Sequence, residues 1–451
     1  MKELIFYYDV VCPFAYMASR LVEGVAARAG AKVKWTPVLL GGLYEATDAP
    51  QGKDKSASTV MAPAKQAIFA ADLQMQLHRF KIPFRYPTLN PQRTLNAMRL
   101  LAVSPTSQSA ETTGPLSSAA LDNSVRRRLS DALYRAYWVD DKDLTDQKVL
   151  SDAVKQVGWS VDVQQVLDSS SALGSEARQQ LEANTKEAVD RGAFGVPSFW
   201  VNERLFWGVD RFALVLSALV GERAEPLRLA TVPPFDAAER PEQKLTVYFD
   251  FSSPYTFLGV SQISSLVESL RPLKIRIEWV PVLLGAVFKA IGTPLVPMTA
   301  LSSAKAAYAS QDLQDWVAYH GMKLIYPSNF PLRTILPLRV YFAQPDEKLR
   351  TALFSAAWQK DINIGNKEEL SQVLTEAGYD AQSLMAKAED PAIKDMLKQS
   401  TARGIEAGIC GAPSFQVNGG PVIFGQDRLP LVADLLCGWT PPDTHTTKAK
   451  L

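Results

Sequence analysis

The sequence is written twice. "LIFYYDVVCPFAYMAS" returns as "LTVYFDFSSPYTFLGV", "WTPVLLGGLYEA" as "WVPVLLGAVFKA" and "AKQAIFAADLQ" as "AKAAYASQDLQ". "GVPSFWVN" returns as "GAPSFQVN", and "FWGVDRFALVLSALVG" as "IFGQDRLPLVADLLCG". Similarity at so long a period means two assemblies of one kind in tandem. The offset is 241 from Cys12 to Ser253, 240 from Lys65 to Lys305, and 216 from Pro197 to Pro413. The drop requires extra residues in the first copy. The Ser/Thr-rich run 104–119, "SPTSQSAETTGPLSSA", supplies them as a loop. The expected division is a first domain at 1–222, a Pro- and charge-rich linker at 223–243, a second domain at 244–438 and a polar tail at 439–451.

Each copy opens with an apolar strand, a short turn and an amphipathic helix such as "ASRLVEGVAARAG". A second strand follows, then a long stretch of helical period that includes "VRRRLSDALYRAYW". Two short strands around a turn and a final helix close the copy. That order predicts an α/β chain of two tandem thioredoxin-like domains, each with an inserted helical subdomain.

Composition removes several function classes. Lys and Arg number 48 against 47 Asp and Glu, so there is no electrostatic footprint for nucleic acid or an anionic membrane. No apolar run reaches the roughly 18 residues of a spanning helix. The opening "MKELIFYYDVV" reads as a strand rather than a secretory signal. Three cysteines (Cys12, Cys410, Cys437) are too few for a disulfide framework and fit a reducing compartment. The three histidines, His78, His320 and His445, form no cluster with metal-ligand spacing, so no metal is expected. None is tied to a nucleophile elbow, which removes a Ser-His-Asp hydrolase.

Taken together and in order, "SPYT" after "YFDF", Lys305 on the next helix, "GAPSF" and "FGQDR" resemble the kappa-class glutathione transferases and the 2-hydroxychromene-2-carboxylate isomerases. Both lie within the DsbA-like thioredoxin group. The resemblance spans nearly all of both copies and implies glutathione as the cosubstrate. It implies that Ser253, opening the turn with Pro254 and Tyr255, assists the thiol of bound glutathione. In the first copy Cys12, with Pro13 and Phe14, stands in its place. It further implies ligand contacts from Lys65 and Lys305, and contacts from Asp210 and Asp427 to the γ-glutamyl end. Gln426 precedes the second acid, whereas Val209 precedes the first and offers no side-chain hydrogen bond. Val196 and Ala412, each ahead of an expected cis-proline (Pro197, Pro413), would pair their backbone with the cysteinyl part. Thr293 and Asp48 loosely match a polar loop residue of the family, the loops differing in length.

The residue types suit that chemistry. Helix N-termini favour anions, and a hydroxyl aimed at sulfur lowers a thiol pKa. A serine without an adjacent base is a poor nucleophile, so Ser253 reads as a stabiliser of thiolate or as a plain N-cap. Cys12 at the same place would have its own thiolate stabilised. With Ala15 where a resolving cysteine would stand, its open roles are S–H donor, former of a mixed disulfide, or inert residue. Lys65 and Lys305 also read as solvated helix charges, and Asp210 and Asp427 as helix caps. Asp9 and Asp250 read as caps of the turn or helix. Cys410, Cys437, Trp138 and Trp358 read as core. Phe14, Tyr16, Tyr255 and Phe257 suit either core or an acceptor pocket. The last three residues, Ala449-Lys450-Leu451, resemble a peroxisomal address, which implies an import receptor as partner. The alternatives are cytoplasm or mitochondrion.

The expected function is a glutathione transferase of kappa type acting on a small hydrophobic or aromatic electrophile, with the second copy as the conventional site. The alternatives are a glutathione-dependent cis-trans isomerase of the 2-hydroxychromene-2-carboxylate kind and a monothiol oxidoreductase using Cys12. One chain would carry both halves of a pseudo-dimer, or form a homodimer.

Overall fold

The computed structural model describes residues 2–103, 118–227 and 240–442, with side chains of the middle segment from Asn123 onward. The first-copy loop, most of the linker and the Ala449-Lys450-Leu451 tail lie outside the described residues. Two four-stranded sheets organise the chain. The first has order β2-β1-β3-β4, from β1 (Glu3–Tyr8), β2 (Lys32–Pro37), β3 (Ser198–Val201) and β4 (Arg204–Trp207). The second repeats it as β6-β5-β7-β8, from β5 (Gln243–Phe249), β6 (Ile275–Pro281), β7 (Ser414–Val417) and β8 (Ile423–Phe424). β1 runs parallel to β2 and antiparallel to β3, and β5 does the same with β6 and β7. Both central strands are apolar runs rather than alternations, because helices cover both of their faces.

Four pairs of helices matter for the site. The helices α1 (Pro13–Arg28) and α5 (Pro254–Ser269) follow β1 and β5. α2 (Pro63–Arg79) and α6 (Ser303–Tyr319) carry Lys65 and Lys305. α3 (Ser118–Trp138) and α7 (Glu347–Gln359) belong to the helical insertions. α4 (Phe212–Val220) and α8 (Leu429–Leu436) close the copies.

The copies do not keep their helices to themselves. Leu313, Trp316, Val317 and Tyr319 of α6 are buried in the core of the first copy. Met75 of α2 is buried in the core of the second, with Ala71 packed against it. Each such apolar side chain contributes about 1.5–3 kcal/mol by leaving water. Arginines pin the exchange. Arg211, just before α4, grips Asp312 of α6 with two hydrogen bonds, of 2.5 and 2.9 Å. Arg428, just before α8, grips Asp72 of α2 through two of 2.9 Å. Arg79 at the end of α2 meets Asp434 of α8 at 2.5 Å. The Arg211 and Arg428 pairs are reciprocal, residue for equivalent residue, as a two-fold arrangement produces, whereas Arg79–Asp434 has no counterpart, Tyr319 and Ser217 standing at the equivalent places.

Leaving one member of a buried pair alone costs about 3–5 kcal/mol. Asp312→Ala leaves Arg211 its contacts with Asp427 and Asp210, so it is expected to lower unfolding stability by less than that, about 1.5–3 kcal/mol, measured by urea denaturation. Arg178, exposed together with its partner Glu182, is the control: Arg178→Ala should cost no more than about 1 kcal/mol. Equal losses from the two variants would mean that the buried pair contributes nothing special.

Candidate thiol site between the repeats

Asp9 and Asp250 set the start of α1 and α5. Both are buried. Asp9 accepts from the Val11 N–H at 3.2 Å, the Leu40 N–H at 2.9 Å and the Thr94 hydroxyl at 2.8 Å. Asp250 accepts from the N–H groups of Ser252 at 3.0 Å and Leu284 at 2.8 Å. They cap the turn and tie it to the next helix and the helical insertion rather than capping α1 or α5. The indoles of Trp138 and Trp358 complete the brace. Each donates to a carbonyl of the turn, Val10 at 2.9 Å and Phe251 at 2.8 Å. Helical period alone assigns these tryptophans to packing, because their carbonyl partners are far away in sequence.

On this brace Cys12 and Ser253 occupy one geometry. Each is the N-cap residue, with Pro13 or Pro254 at the first helical position. Each is 8 % exposed. The Cys12 S–H donates to the Val196 carbonyl at 3.2 Å, and the Ser253 hydroxyl to the Ala412 carbonyl at the same distance. Ser253 also accepts from the Thr256 N–H at 3.1 Å. The bonds Val196–Pro197 and Ala412–Pro413 are both cis.

The expected stabilised Cys12 thiolate is corrected here. Burial pushes the thiol up to about 12, outweighing the N–H groups of Ala15 and Phe14 that favour the anion. Cys12 is thus a protonated donor at neutral pH. Cys410 is also a buried thiol, pushed to about 11 by burial against the opposing pull of Lys65. Cys437 belongs to the second core.

A cleft of about 1080 Å3 opens beside Cys12, Pro13 and Phe14 and runs along Val196 and Val209. Its lining crosses to the second copy at Lys305, His320, Gln426 and Asp427. Ser253, Pro254, Tyr255, Thr293 and Ala412 do not line it, so the second-copy set expected as one site is divided. The division follows from the exchanged helices. The Lys305 ammonium lies 5.1 Å from the centre of the Trp207 ring and 6.0 Å from that of Phe194, both of the first copy. Burial and the Lys65 cation pull its pKa down. Lys65, from α2, stands over Phe69 and near Cys410 of the second copy. Each lysine therefore serves the neighbourhood of the other repeat's proline turn. Tyr255 packs against the first core, and burial pushes its hydroxyl to about 12. The described contact of Thr293 is its N–H on the Phe288 carbonyl at 2.9 Å.

Asp210 and Asp427 meet between the repeats. Arg211 reaches Asp427 at 2.7 Å and Arg428 reaches Asp210 at 2.9 Å. Burial pushes both carboxyls up, the two guanidiniums pull them down, and mutual repulsion splits them, Asp210 downward and Asp427 upward. Gly208 and Gly425 permit this approach, at φ of 101° and 108°. A Cβ at either would stand 2.4 or 2.6 Å from the following aspartate's oxygen. The ion cluster of Asp72, Asp312, Arg211 and Arg428 was not singled out from the sequence. Its signal was an acid on α2 and α6 and an arginine after the Gly-x-Asp, each repeated at the same place.

His320 also lines the cleft, stacked on Trp316 with ring centres 5.6 Å apart. Burial and the Arg223 cation push it down to about 4, so it is neutral at pH 7. The Gln426 carboxamide oxygen and the Trp316 indole N–H have no hydrogen-bond partner among the described residues, while the Gln426 side chain hydrogen-bonds His320 and opposes its downward shift. A polar ligand in the cleft would meet unsatisfied groups there.

With burial holding the Cys12 thiol up at about 12, the thiol form dominates at pH 8. Alkylation by iodoacetamide, followed by mass spectrometry to separate the three cysteines, is expected to be slow at pH 8 and still rising at pH 10. A rate already level by pH 8 would reveal a stabilised thiolate and overturn this account of Cys12.

The DSBA-like thioredoxin domain family model matches residues 3–220 and 244–437. A 2-hydroxychromene-2-carboxylate isomerase of Sphingobium xenophagum is 26% identical over 219 residues, 49% of this chain and 98% of that protein. Glutathione S-transferase kappa 2 of Caenorhabditis elegans is 27% identical over 206 residues, 42% of this chain and 89% of its own. Among solved structures, a 2-hydroxychromene-2-carboxylate isomerase aligns with TM-score 0.38 at 23% identity, over 43% of this chain and 94% of its own.

Proposed function

The chain belongs to the DSBA-like thioredoxin domain family, and from that premise we propose that it binds glutathione and uses its thiolate on an electrophilic carbon, as a transferase of kappa type. The observation that carries this reading is the duplicated donor. A hydroxyl and a thiol occupy one N-cap geometry, each 3.2 Å from the carbonyl ahead of a proline. The relatives named as kappa transferases and isomerases support it.

The donor's present partner suggests how the site works. Without ligand, the Cys12 S–H is satisfied by the Val196 carbonyl. Glutathione lying along that edge offers the carbonyl its cysteinyl N–H instead. The S–H then turns to the glutathione sulfur, which the first N–H groups of α1 also face. All of these contacts favour the anion over the thiol. The thiol proton leaves to solvent, and the thiolate attacks the acceptor's electrophilic carbon. In conjugation the leaving group departs with its electron pair. In isomerisation the sulfur adds to an activated double bond, the carbon–carbon bond turns, and the thiolate is expelled, so nothing is consumed. The cleft beside Cys12 has room for an acceptor, which shifts the expected principal site from the second repeat to the first. Glutathione as cosubstrate and a peroxisomal location by way of the tail belong to the same reading. The thiol–disulfide alternative is disfavoured by the high Cys12 pKa and the absence of a resolving partner at Ala15.

A hydrogen bond to a charged group contributes about 1.5–3 kcal/mol, and tenfold in rate is about 1.4 kcal/mol. Cys12→Ala is therefore expected to lower kcat/KM for conjugation of glutathione to an activated haloarene by about tenfold or more. Cys12→Ser, which supplies a stronger donor, should preserve or raise it. Titration calorimetry with glutathione is the prior check. No heat of binding from the whole chain would end the proposal.

A further inference from the structure

The cleft is longer than the chemistry proposed for it. Four of its lining residues lie along α6, from Lys305 to His320. Lys305, in the first turn of that helix, stands beside Trp207 and Phe194 of the first repeat, Phe194 two residues ahead of Val196. His320 lies one residue past the end of the helix. At about 1.5 Å per residue, the two ends stand about 22 Å apart. A tripeptide, fully extended, spans at most about 11 Å. No single glutathione reaches from one end to the other.

The His320 end is polar where its counterpart is not. Trp316, His320 and Gln426 stand where the other half has Gln76, Phe80 and Val209. The Gln426 side chain hydrogen-bonds His320, and His320 stacks on Trp316. Trp316 and Gln426 are each 4 % exposed, yet the indole N–H of one and the carboxamide oxygen of the other are unpartnered among the described residues. A buried donor or acceptor left in that state carries its full desolvation cost, which a ligand recovers. In the other half Gln76 accepts from Arg79 at 3.3 Å, and Phe80 and Val209 bring no polar side-chain atom.

The linker adds a cation to this end. Ser217 accepts the Ala224 N–H at 2.9 Å, Tyr319 donates its hydroxyl to the Ala224 carbonyl at 2.6 Å, and Arg79 donates to the Leu227 carbonyl at 3.0 Å. The two positions that form the Arg79–Asp434 pair on one side of the seam thus hold the linker on the other. Held in this way, Arg223 lines the cleft with its guanidinium 5.0 Å from the centre of the Tyr319 ring, which is itself 5.0 Å from that of His320. Its described contact is that ring, not a carboxylate. Glu225 lines the same wall, so a bound anion sits on the Arg223 side.

We propose that this end of the cleft is a second binding site, built by both repeats and the linker, for a small planar acid. The anionic group meets Arg223 and the ring lies along Tyr319 and His320. The ligand accepts from the Trp316 N–H and donates to the Gln426 oxygen. The site is separate from the thiol chemistry proposed above and does not depend on it.

Salicylate carries these features: a carboxylate, a ring and a hydroxyl donor. Calorimetric titration of the full chain with salicylate is expected to show one saturable site. Arg223→Gln, at an exposed position, should weaken binding by about tenfold or more. So should the pair His320→Phe with Gln426→Val, which copies the other half. Both variants are checked for unchanged circular dichroism. Salicylamide, which lacks the charge, should bind wild type about tenfold more weakly or worse. Saturating glutathione should leave the salicylate isotherm in place. Salicylate binding that is absent, indifferent to either variant, matched by salicylamide or displaced by glutathione overturns the proposal. A chain that takes up no glutathione but binds salicylate with this variant pattern refutes the proposed function and sustains the inference. Glutathione uptake without a salicylate site does the reverse.

Discussion

Arg211 and Arg428 are the fixed points of this molecule. Each is half of a buried ion pair with a helix that belongs, by sequence, to the other repeat. Taking such groups out of water costs several kcal/mol per ion and is recovered only if every charge finds its partner in good geometry. Both guanidiniums meet that condition with paired hydrogen bonds to one carboxylate and a third to another. The arrangement tolerates little sliding, because a shift of one repeat against the other would strand two arginines and four aspartates at once. The apolar exchange of Met75 one way and Trp316 the other supplies attraction without direction. The ion cluster supplies the register.

That register decides what a site can be. Cys12 and Ser253 are placed by their own strand, turn and helix, and the carbonyls of Val196 and Ala412 by their own sheets. The lysines come from across the seam. A change confined to α6 therefore reaches both repeats: Lys305 lies against Trp207 and Phe194 of the first, and Asp312 acts on Tyr255 beside Ser253 of the second. The same seam brings Asp210 and Asp427 so close that their charges are shared with the arginines. Those acids are structural charges before they are ligands, and any ammonium bound there would have to displace part of an existing network.

What could be read from the sequence divides along a physical line. The strand, turn and helix order, the N-cap positions of Cys12 and Ser253 and the repeat itself were legible, since they rest on local period and on residues a few places apart. The prolines after Val196 and Ala412 were legible through the motif around them. The partner of Lys305 was not. A repeat reveals which helices are alike but not which of two equivalent cores each one covers, and Trp316 suits either. The protonation of Cys12 was missed for a related reason. A helix N-terminus favours a thiolate and is visible in sequence, whereas the opposing term is burial, which only the packed structure supplies. Trp138 and Trp358 were assigned to packing because nothing local reveals that their indoles brace the turn.

Duplication within one chain frees the two halves to differ, and where they differ follows from the same constraint. Residues at the seam cannot drift singly: Asp72 with Arg428 and Asp312 with Arg211 are kept alike because each mismatch would bury a lone charge. Side chains on the walls facing solvent carry no such penalty. Asn90 and Phe330, or Lys55 and Leu295, stand on one backbone frame with unlike chemistry. The N-cap lies between these extremes. A thiol and a hydroxyl both satisfy the carbonyl ahead of the proline, so Cys12 and Ser253 exchange without disturbing the fold, yet they differ in donor strength and in what they offer a bound sulfur. The seam thus keeps its two Arg–Asp pairs alike, while other seam positions have changed in concert: the buried Arg79–Asp434 pair stands where the opposite half has Tyr319 and Ser217.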